Sequence, residues 1–139
     1  MTQRQVFELP PNHAKIEAAF PMIKGRSGIL YSYGDCLYNP DKVIVPPWLV
    51  IHESIHEIQQ RALGPDMWWD RYLTDSAFRL QVEVEACREE FKAFCGHVPA
   101  PNRIARARHR DLICERLASG AYGYMIRKKD AKALLLRDA

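Results

Sequence analysis

The sequence predicts an α+β fold in which a small antiparallel β-meander precedes a series of helices. The segment from Ile29 to Val45 is rich in aromatic and β-branched residues and is interrupted at Gly34-Asp35 and at Asn39-Pro40-Asp41. Gly-Asp is one of the two-residue loops that close tight hairpins. We therefore expect three short antiparallel strands, near residues 29–33, 36–39 and 42–45. After residue 46 the apolar residues recur at the helical spacings of three and four.

Pro46 and Pro47 are expected to end the sheet and begin the first helix, because proline suits the first helical turn. This helix should run to about Leu63, where Gly64-Pro65 supplies a stop signal. Its predicted buried stripe consists of five residues at spacings of three and four: Trp48, Ile51, Ile55, Ile58 and Ala62.

Two to three further helices are predicted downstream. The second helix should begin between residues 65 and 70, break near 74–76 and continue to Cys95, with Gly96 after it. A third helix is expected over about 102–118, with Asn102 as its N-cap. A short helix over about 129–137 follows. The apolar stripe of the second helix is predicted to comprise Leu80, Val84, Cys87, Phe91 and Phe94.

The composition is typical of a folded globular protein. The chain has 139 residues, of which 47% are hydrophobic and 27% charged, which suits one domain over residues 1–139. It contains no run of about 20 apolar residues, so we expect no membrane association. The segment from Met1 to Pro11 lacks the basic and apolar regions of a signal peptide, so we do not expect secretion by that route.

The four cysteines are not spaced as a zinc ribbon or a dithiol redox site, since no two form a C-x-x-C pair. We expect reduced thiols, with Cys87 and Cys95 acting as small apolar residues. The net charge of +3 is unevenly distributed. Residues 1–100 carry 10 basic and 13 acidic side chains, and residues 101–139 carry 10 basic and 4 acidic ones. We interpret this basic segment mainly as a solvated helix face.

The chemistry is carried by the motif His52-Glu53-Ser54-Ile55-His56 within the first predicted helix. Residues four apart lie on one helix face, so both imidazoles can reach one metal ion. Two imidazoles with a remaining open position suit Zn²⁺. Glu53 is then the candidate catalytic base, which accepts a proton from activated water and passes it to the leaving amine.

A third protein ligand should come from the next helix, because position 62 is Ala62 and the extended pattern HExxHxxGxxH is therefore excluded. The candidates are Glu83 and Glu85. On a helical wheel, Glu83 lies about 60° from the direction of the apolar stripe and Glu85 about 140° away. Ala86 is also small enough to allow close helix packing. Glu83 is the preferred ligand and Glu85 the alternative.

With these residues identified, the chain resembles the zincin superfamily of metallopeptidases and, within it, the gluzincins. Gluzincins carry a glutamate ligand on the helix after HExxH, followed three and four positions later by a small residue and usually an aspartate. Glu83 and Ala86 match this pattern, but Cys87 stands at the aspartate position, so the usual partner of the first histidine is not accounted for. The resemblance implies a zincin-like fold, one Zn²⁺ per chain and peptide-bond hydrolysis.

A closer resemblance is to short predicted metallopeptidases of tailed bacteriophages and prophages. The similar stretches are HESIHEIQQ, WWDRYLTDSAFRLQVEVEAC and GAYGYMI, which occur in the same order within residues 29–137. This resemblance implies a location in the host cytoplasm or on the virion. It also implies a peptide or protein substrate, with other phage proteins as partners.

Tyr122 lies between glycines near the end of the chain and is a candidate to donate a hydrogen bond to a substrate oxyanion. The alternative for Tyr122 is a buried tyrosine with a structural role. The strand expected from Lys42 to Val45 could offer an edge for an extended substrate.

Three functions follow from these features. The first is a zinc peptidase, and the second is a zinc-stabilised phage structural or accessory protein with little turnover. The third is a nucleic-acid-associated protein, which we rank last because no aromatic platform or binding motif accompanies its basic residues. Those residues are Arg103, Arg106, Arg108, Arg110, Arg127, Lys128 and Lys129.

Overall fold

The computed structural model describes residues 3–99 and 102–137, which form a three-stranded mixed sheet and six α-helices. The elements in chain order are β1 (Arg4–Val6), α1 (His13–Ala19), β2 (Tyr31–Tyr33), β3 (Cys36–Tyr38), α2 (Pro47–Leu63), α3 (Pro65–Thr74), α4 (Ser76–His97), α5 (Arg103–Leu117) and α6 (Lys128–Leu136). Two short 3-10 helices, Pro21–Ile23 and Gly120–Tyr122, complete them. The predicted α+β class is confirmed. None of the described helices combines the length and apolar character needed to cross a membrane.

The sheet contains the predicted hairpin but not the predicted meander. β2 and β3 pair in antiparallel fashion around Gly34-Asp35, and Gly34 adopts a φ of 59° in this turn. The third strand expected at 42–45 is wrong, because this segment is irregular and Lys42 has a φ of 54°. The third strand is instead β1, which pairs with β3 in parallel and gives the order β1-β3-β2.

The loop after β3 turns away from the sheet because Asn39 holds it. The Asn39 side chain accepts a hydrogen bond from the Val43 backbone N–H at 3.0 Å and donates one to the Val43 carbonyl at 2.8 Å. These bonds use backbone groups of Val43 that a strand would need for pairing. The substrate-binding edge expected from Lys42 to Val45 is therefore absent.

Helix α2 has the predicted bounds, but the predicted buried stripe is wrong. Ile51 is 40% exposed and Ile58 is 54% exposed, and Ala62 also faces solvent. The buried residues of α2 are polar: His52, Glu53, His56, Glu57 and Gln60. Burial of polar groups is favourable only when they are hydrogen-bonded, so the partners of this face determine how the helix packs.

Gln60 is one such buried residue, and it joins α2 to the hairpin. Its side-chain amide donates to the Ser32 carbonyl at 2.8 Å, and its amide oxygen accepts from the Gly34 N–H at 2.7 Å. The Trp69 indole N–H on α3 donates to the same Ser32 carbonyl at 2.9 Å. The free edge of β2 is thus tied to two helices at Ser32.

The predicted interruption near 74–76 separates α3 from α4. Asp75 begins α4 as its N-cap, and its carboxylate accepts hydrogen bonds from Ala77 N–H and Phe78 N–H, both at 3.1 Å. Such a cap satisfies amide groups that have no partner within the helix.

Helix α4 ends at His97, two residues beyond the predicted end at Cys95. The predicted cap of α5 is confirmed, since the Asn102 side chain accepts from Ala105 N–H at 3.0 Å.

Two apolar clusters lie on either side of α4. The first joins α1, the 3-10 helix Pro21–Ile23, β2, α3 and one face of α4. Its members are Ile16, Phe20, Ile23, Tyr31, Trp68, Trp69, Tyr72 and Val82. The second joins α4, α5 and α6, and its members are Val84, Cys87, Ile113, Cys114, Leu117, Ala131 and Leu135. Of the predicted α4 stripe, Val84 and Cys87 are buried, whereas Leu80 and Phe91 are partly buried. Cys95 is only half-buried, contrary to its expected role as a core residue.

We predict that Gly123→Ala destabilises the protein more than Gly25→Ala does. Both glycines have positive φ, 77° and 76° respectively, so both substitutions carry a similar backbone penalty of about 1–2 kcal/mol. A Cβ at Gly123 would also lie 2.9 Å from the Phe20 ring, whereas one at Gly25 meets nothing within 4 Å. Urea unfolding should show an additional loss of about 1–3 kcal/mol for Gly123→Ala. Equal losses would show that the Phe20 contact relaxes freely.

Candidate metal centre

The two histidines of the motif converge on one carboxylate oxygen. His52 and His56 lie four residues apart on α2, and both are buried. The Nε2 atom of each lies 3.2 Å from Glu83 Oε1. Glu83 is on α4, which packs closely against α2 where Ala86 is fully buried. The structure thus brings together the three side chains that the sequence suggested as ligands.

The distances from the Glu83 oxygen to the two imidazole nitrogens suit a zinc ion. Tetrahedral zinc with bonds of about 2.0–2.1 Å places neighbouring ligand atoms about 3.4 Å apart. The observed separations of 3.2 Å between Glu83 Oε1 and each imidazole Nε2 are close to this value. The buried Glu83 carboxylate also carries a negative charge that a bound cation would balance. The donor set therefore fits Zn²⁺.

The electrostatics of the cluster favour ionised Glu83. Burial by itself raises the pKa of this carboxyl, but the charge of His56 and hydrogen bonds from both histidines hold it well below its ordinary value. Burial lowers the pKa of His52, yet contacts with Cys87, Glu83 and Glu90 raise it well above the ordinary value. The cluster therefore attracts cations, and a metal ion would compete with the protons of the imidazoles.

Each candidate ligand has a partner on its far side. His52 Nδ1 lies 2.9 Å from Glu90 Oε1, and His56 Nδ1 lies 2.9 Å from Gln59 Oε1. The Tyr72 hydroxyl donates to Glu83 Oε2 at 2.5 Å. When Nδ1 donates its proton in this way, the lone pair of Nε2 faces the cluster, as metal coordination requires. All three donors are therefore preoriented.

Glu90 is the most heavily engaged of these partners. It is fully buried and is contacted by His52, by His109 Nε2 at 2.8 Å and by Arg116. Burial raises the pKa of Glu90, but hydrogen bonds from His109 and His52 and the charge of Arg116 lower it well below its ordinary value. Glu90 thus supplies the outer carboxylate that the Cys87 position leaves out. The sequence did not single out Glu90, although residues seven positions apart, such as Glu83 and Glu90, lie on the same face of a helix.

Cys87 offers a second donor set with His52 and Glu83, since one ligand atom from each lies within 4.8 Å of the others. The Cys87 Sγ atom is also 4.0 Å from Arg116, which in turn contacts Glu90. This places the thiol near the Glu90 side of the cluster. We favour the set with His56, because both imidazoles contact the same Glu83 oxygen.

Glu53, the candidate base, is buried next to the histidines and is held by the hairpin. The Ser32 hydroxyl lies 2.7 Å from Glu53 Oε2 and 3.0 Å from the Glu53 carbonyl oxygen, so its single proton has two acceptors. Ser32 in turn accepts a hydrogen bond from Gln3 Nε2 at 3.1 Å. Ser32 was not identified from the sequence, because its contact with Glu53 depends on the docking of β2 against α2.

The structure separates the two glutamates that competed as third ligand. Glu83 is buried beside the histidines, whereas Glu85 is exposed and accepts a hydrogen bond from Gln59 at 3.2 Å. Tyr122 lines the same cavity as Glu53 and the histidines. Burial and the nearby Glu83 carboxylate raise the pKa of Tyr122 well above its ordinary value, so its hydroxyl remains a donor at neutral pH. Its role toward an oxyanion stays a prediction.

Comparison with known proteins identifies no relative: no family model, no curated protein and no solved structure matches this chain. The functional assignment therefore depends on the geometry of the site.

We predict that Glu90→Gln weakens zinc binding by about 10–100-fold, the usual effect of losing an outer partner of a metal-bound histidine. A glutamine side chain lacks the negative charge that Arg116 and His109 face. It also has an amide nitrogen in place of one carboxylate oxygen, so it cannot accept hydrogen bonds from both residues. The neighbouring Glu89→Gln is the control, because Glu89 is partly exposed and pairs with Lys92 at 3.4 Å. Competition titrations with a chromophoric chelator measure both affinities. If the two variants bind zinc equally well, Glu90 does not support His52.

Proposed function

We propose that this protein is a zinc-dependent peptidase of gluzincin type. The observation that carries the proposal is the convergence of His52 Nε2, His56 Nε2 and Glu83 Oε1 beside Glu53 in the wall of a cavity. His52, His56 and Glu83 would hold the ion, and zinc in such a site supplies the Lewis acidity that activates water near neutral pH.

Glu53 is the catalytic base in this proposal. Ser32 holds its Oε2 atom at 2.7 Å, which leaves Oε1 to accept a proton from water during attack on the peptide carbonyl. The same carboxyl then returns the proton to the leaving amine. Tyr122 would donate a hydrogen bond to the carbonyl oxygen as negative charge develops on it.

The order of elements supports a zincin-like fold for the site. A hairpin lies against the helix with the HExxH motif, and the glutamate follows on a later helix that packs against it. The resemblance to phage and prophage metallopeptidases accords with a peptide or protein substrate and with other phage proteins as partners. The proposed reaction does not involve nucleic acid, and we rank nucleic-acid binding last among the candidate functions.

One observation favours the second candidate, a zinc-stabilised structural or accessory protein. Cys87 provides a fourth protein donor close to His52 and Glu83. A zinc ion with four protein ligands is typical of structural sites, whereas catalytic sites keep one position open. Metal-edge spectroscopy that detects a sulfur ligand would favour this alternative.

We predict one Zn²⁺ per chain, and we predict that Glu83→Ala reduces zinc affinity far more than Glu85→Ala. The first variant removes a buried donor from the cluster, so the loss should exceed the 10–100-fold typical of outer partners. The second removes an exposed carboxylate that bonds to Gln59 and contacts no candidate ligand directly. Elemental analysis after dialysis and zinc titrations measure both effects. Wild-type protein that takes up no zinc, or a reversed ranking, would contradict the assigned ligands.

We predict that Glu53→Gln retains zinc and fold but loses peptidase activity by several orders of magnitude, because glutamine cannot accept the proton. Glu57→Gln is the matched control, since Glu57 is also buried on α2 but its partner is Arg61 at 3.3 Å. Cleavage of a fluorogenic peptide library, with zinc content measured in parallel, compares the variants. Wild-type activity in Glu53→Gln would disprove the role of this residue. If the wild type itself cleaves no peptide, the structural alternative gains support.

A further inference from the structure

We propose that a second copy of this chain packs antiparallel against the outer face of α2, so that the protein forms a homodimer. The residues concerned are apolar, and all of them are at least partly exposed in the single chain: Trp48, Ile51, Ile55, Ile58 and Ala62. We refer to these five residues as the seam. The two candidate histidine ligands lie on the buried face of the same helix, so the dimer does not depend on the proposed peptidase function.

The seam has the spacing of a helix that packs against another helix. Its residues follow one another at intervals of three, four, three and four, which is the pattern of the a and d positions in a coiled coil. In the middle of the helix, Ile51 is 40% exposed and Ile58 is 54% exposed. A contiguous row of exposed apolar residues marks a contact surface, whereas single exposed residues do not. The regular spacing points to a helix as the occupant of this surface.

Trp48 gives the seam a rigid anchor. Its ring meets Phe94 edge to face at a centroid distance of 5.0 Å and His109 at 5.9 Å, while part of the side chain remains exposed. Tryptophan is enriched among the residues that dominate the energy of protein interfaces. Because Trp48 is already held on one side, little conformational entropy is lost when a partner covers the other side.

The seam is complementary to a second copy of itself. In an antiparallel pair, each a position of one helix lies opposite a d position of the other. Trp48 then meets the partner subunit's Ile58, Ile51 meets the partner subunit's Ile55, and the two-fold symmetry repeats both contacts. At each end Ala62 approaches the partner subunit's Ile44. Within the single chain Ile44 lies just before α2 and is 95% exposed, and the small alanine leaves room for it.

Charged residues of α4 border the seam. Gln59 on α2 donates a hydrogen bond to Glu85 at 3.2 Å, and His52 near the beginning of α2 contacts Glu90. Helix α4 therefore runs antiparallel to α2, with Glu85 beside the end of the seam. Lys92, two turns further along α4, lies toward the beginning of the seam. Both charged side chains are exposed and can reach a neighbouring molecule.

These charges favour the antiparallel arrangement over the parallel one. An antiparallel two-fold brings Glu85 toward the partner subunit's Lys92, and the symmetry repeats this contact. A parallel dimer would place each residue opposite its own copy, so that like charges meet. It would also bring two Trp48 rings into one layer. Lys92 pairs with Glu89 at 3.4 Å within the chain, but an exposed pair of this kind holds the lysine only weakly.

Sedimentation equilibrium of the full-length chain tests the dimer. The measured mass should rise with concentration from 16.1 kDa toward twice that value. A contact centred on one helix of 17 residues, about 25 Å long, lies at the low end of interface sizes. We therefore expect a dissociation constant of about 1–100 µM.

A matched pair of substitutions locates the contact on the seam. Ile58→Glu places two carboxylates inside the dimer and should weaken dimerisation by about 100-fold or more. Leu112→Glu is the control, because Leu112 is also 54% exposed but lies at the cavity on the other side of α2. This variant should dimerise as the wild type does. Both substitutions affect exposed side chains, so both variants should fold, which circular dichroism checks.

Charge reversal tests the orientation. Glu85→Lys and Lys92→Glu should each weaken dimerisation by about 3–30-fold, because each creates two contacts between like charges. The double variant restores opposite charges in an antiparallel dimer and should recover most of the lost affinity. In a parallel dimer like charges would still meet, and the double variant would gain nothing.

Three results would overturn the proposal. A wild-type chain that stays monomeric at about 1 mM forms no dimer of its own, which leaves the seam to a helix of another protein. A dimer that Ile58→Glu leaves intact uses a different surface. A double charge reversal that dimerises no better than the single variants excludes the antiparallel arrangement. Zinc content, measured on the same samples, reports on the metal centre separately, so the proposed function stands or fails by itself.

Discussion

The buried Glu83 carboxylate between two imidazoles is the interaction on which the rest of the structure depends. Its Oε1 atom lies 3.2 Å from Nε2 of both His52 and His56, and it links α4 to α2. A carboxylate buried in this way is tolerated only with strong compensation. The Tyr72 hydroxyl and the histidines provide it, so α3 as well as α2 must pack in one arrangement around α4.

The same constraint explains why α2 turns its polar face inward. His52, Glu53 and Gln60 are buried and find partners on other elements, whereas Ile51 and Ile58 remain substantially exposed. Hydrophobic periodicity would orient this helix differently. Burial of the two isoleucines would contribute about 1.5–3 kcal/mol each. Exposing or separating the hydrogen-bonded polar groups of the opposite face would cost more free energy than this.

The described chain also links distant segments to the site. Gln3, before β1, bonds to Ser32, which in turn contacts Glu53. At the other end of the chain, His109 and Arg116 on α5 bond to Glu90, which contacts His52. Gln3 therefore helps to orient Glu53 through Ser32, and the two α5 residues help to orient His52 through Glu90. In each case the residues lie more than twenty positions apart in the sequence.

The sequence by itself determined the α+β class, the Gly34-Asp35 hairpin and the bounds of α2, because these follow from local turn and helix preferences. The spacing within HExxH also required both histidines to share one helix face. The helical wheel favoured Glu83 over Glu85, and the tertiary structure placed Glu83 beside the histidines. Only the tertiary structure placed β1 next to β3 and joined Glu90 to His52. These contacts depend on how separate elements pack, and no local pattern encodes that packing.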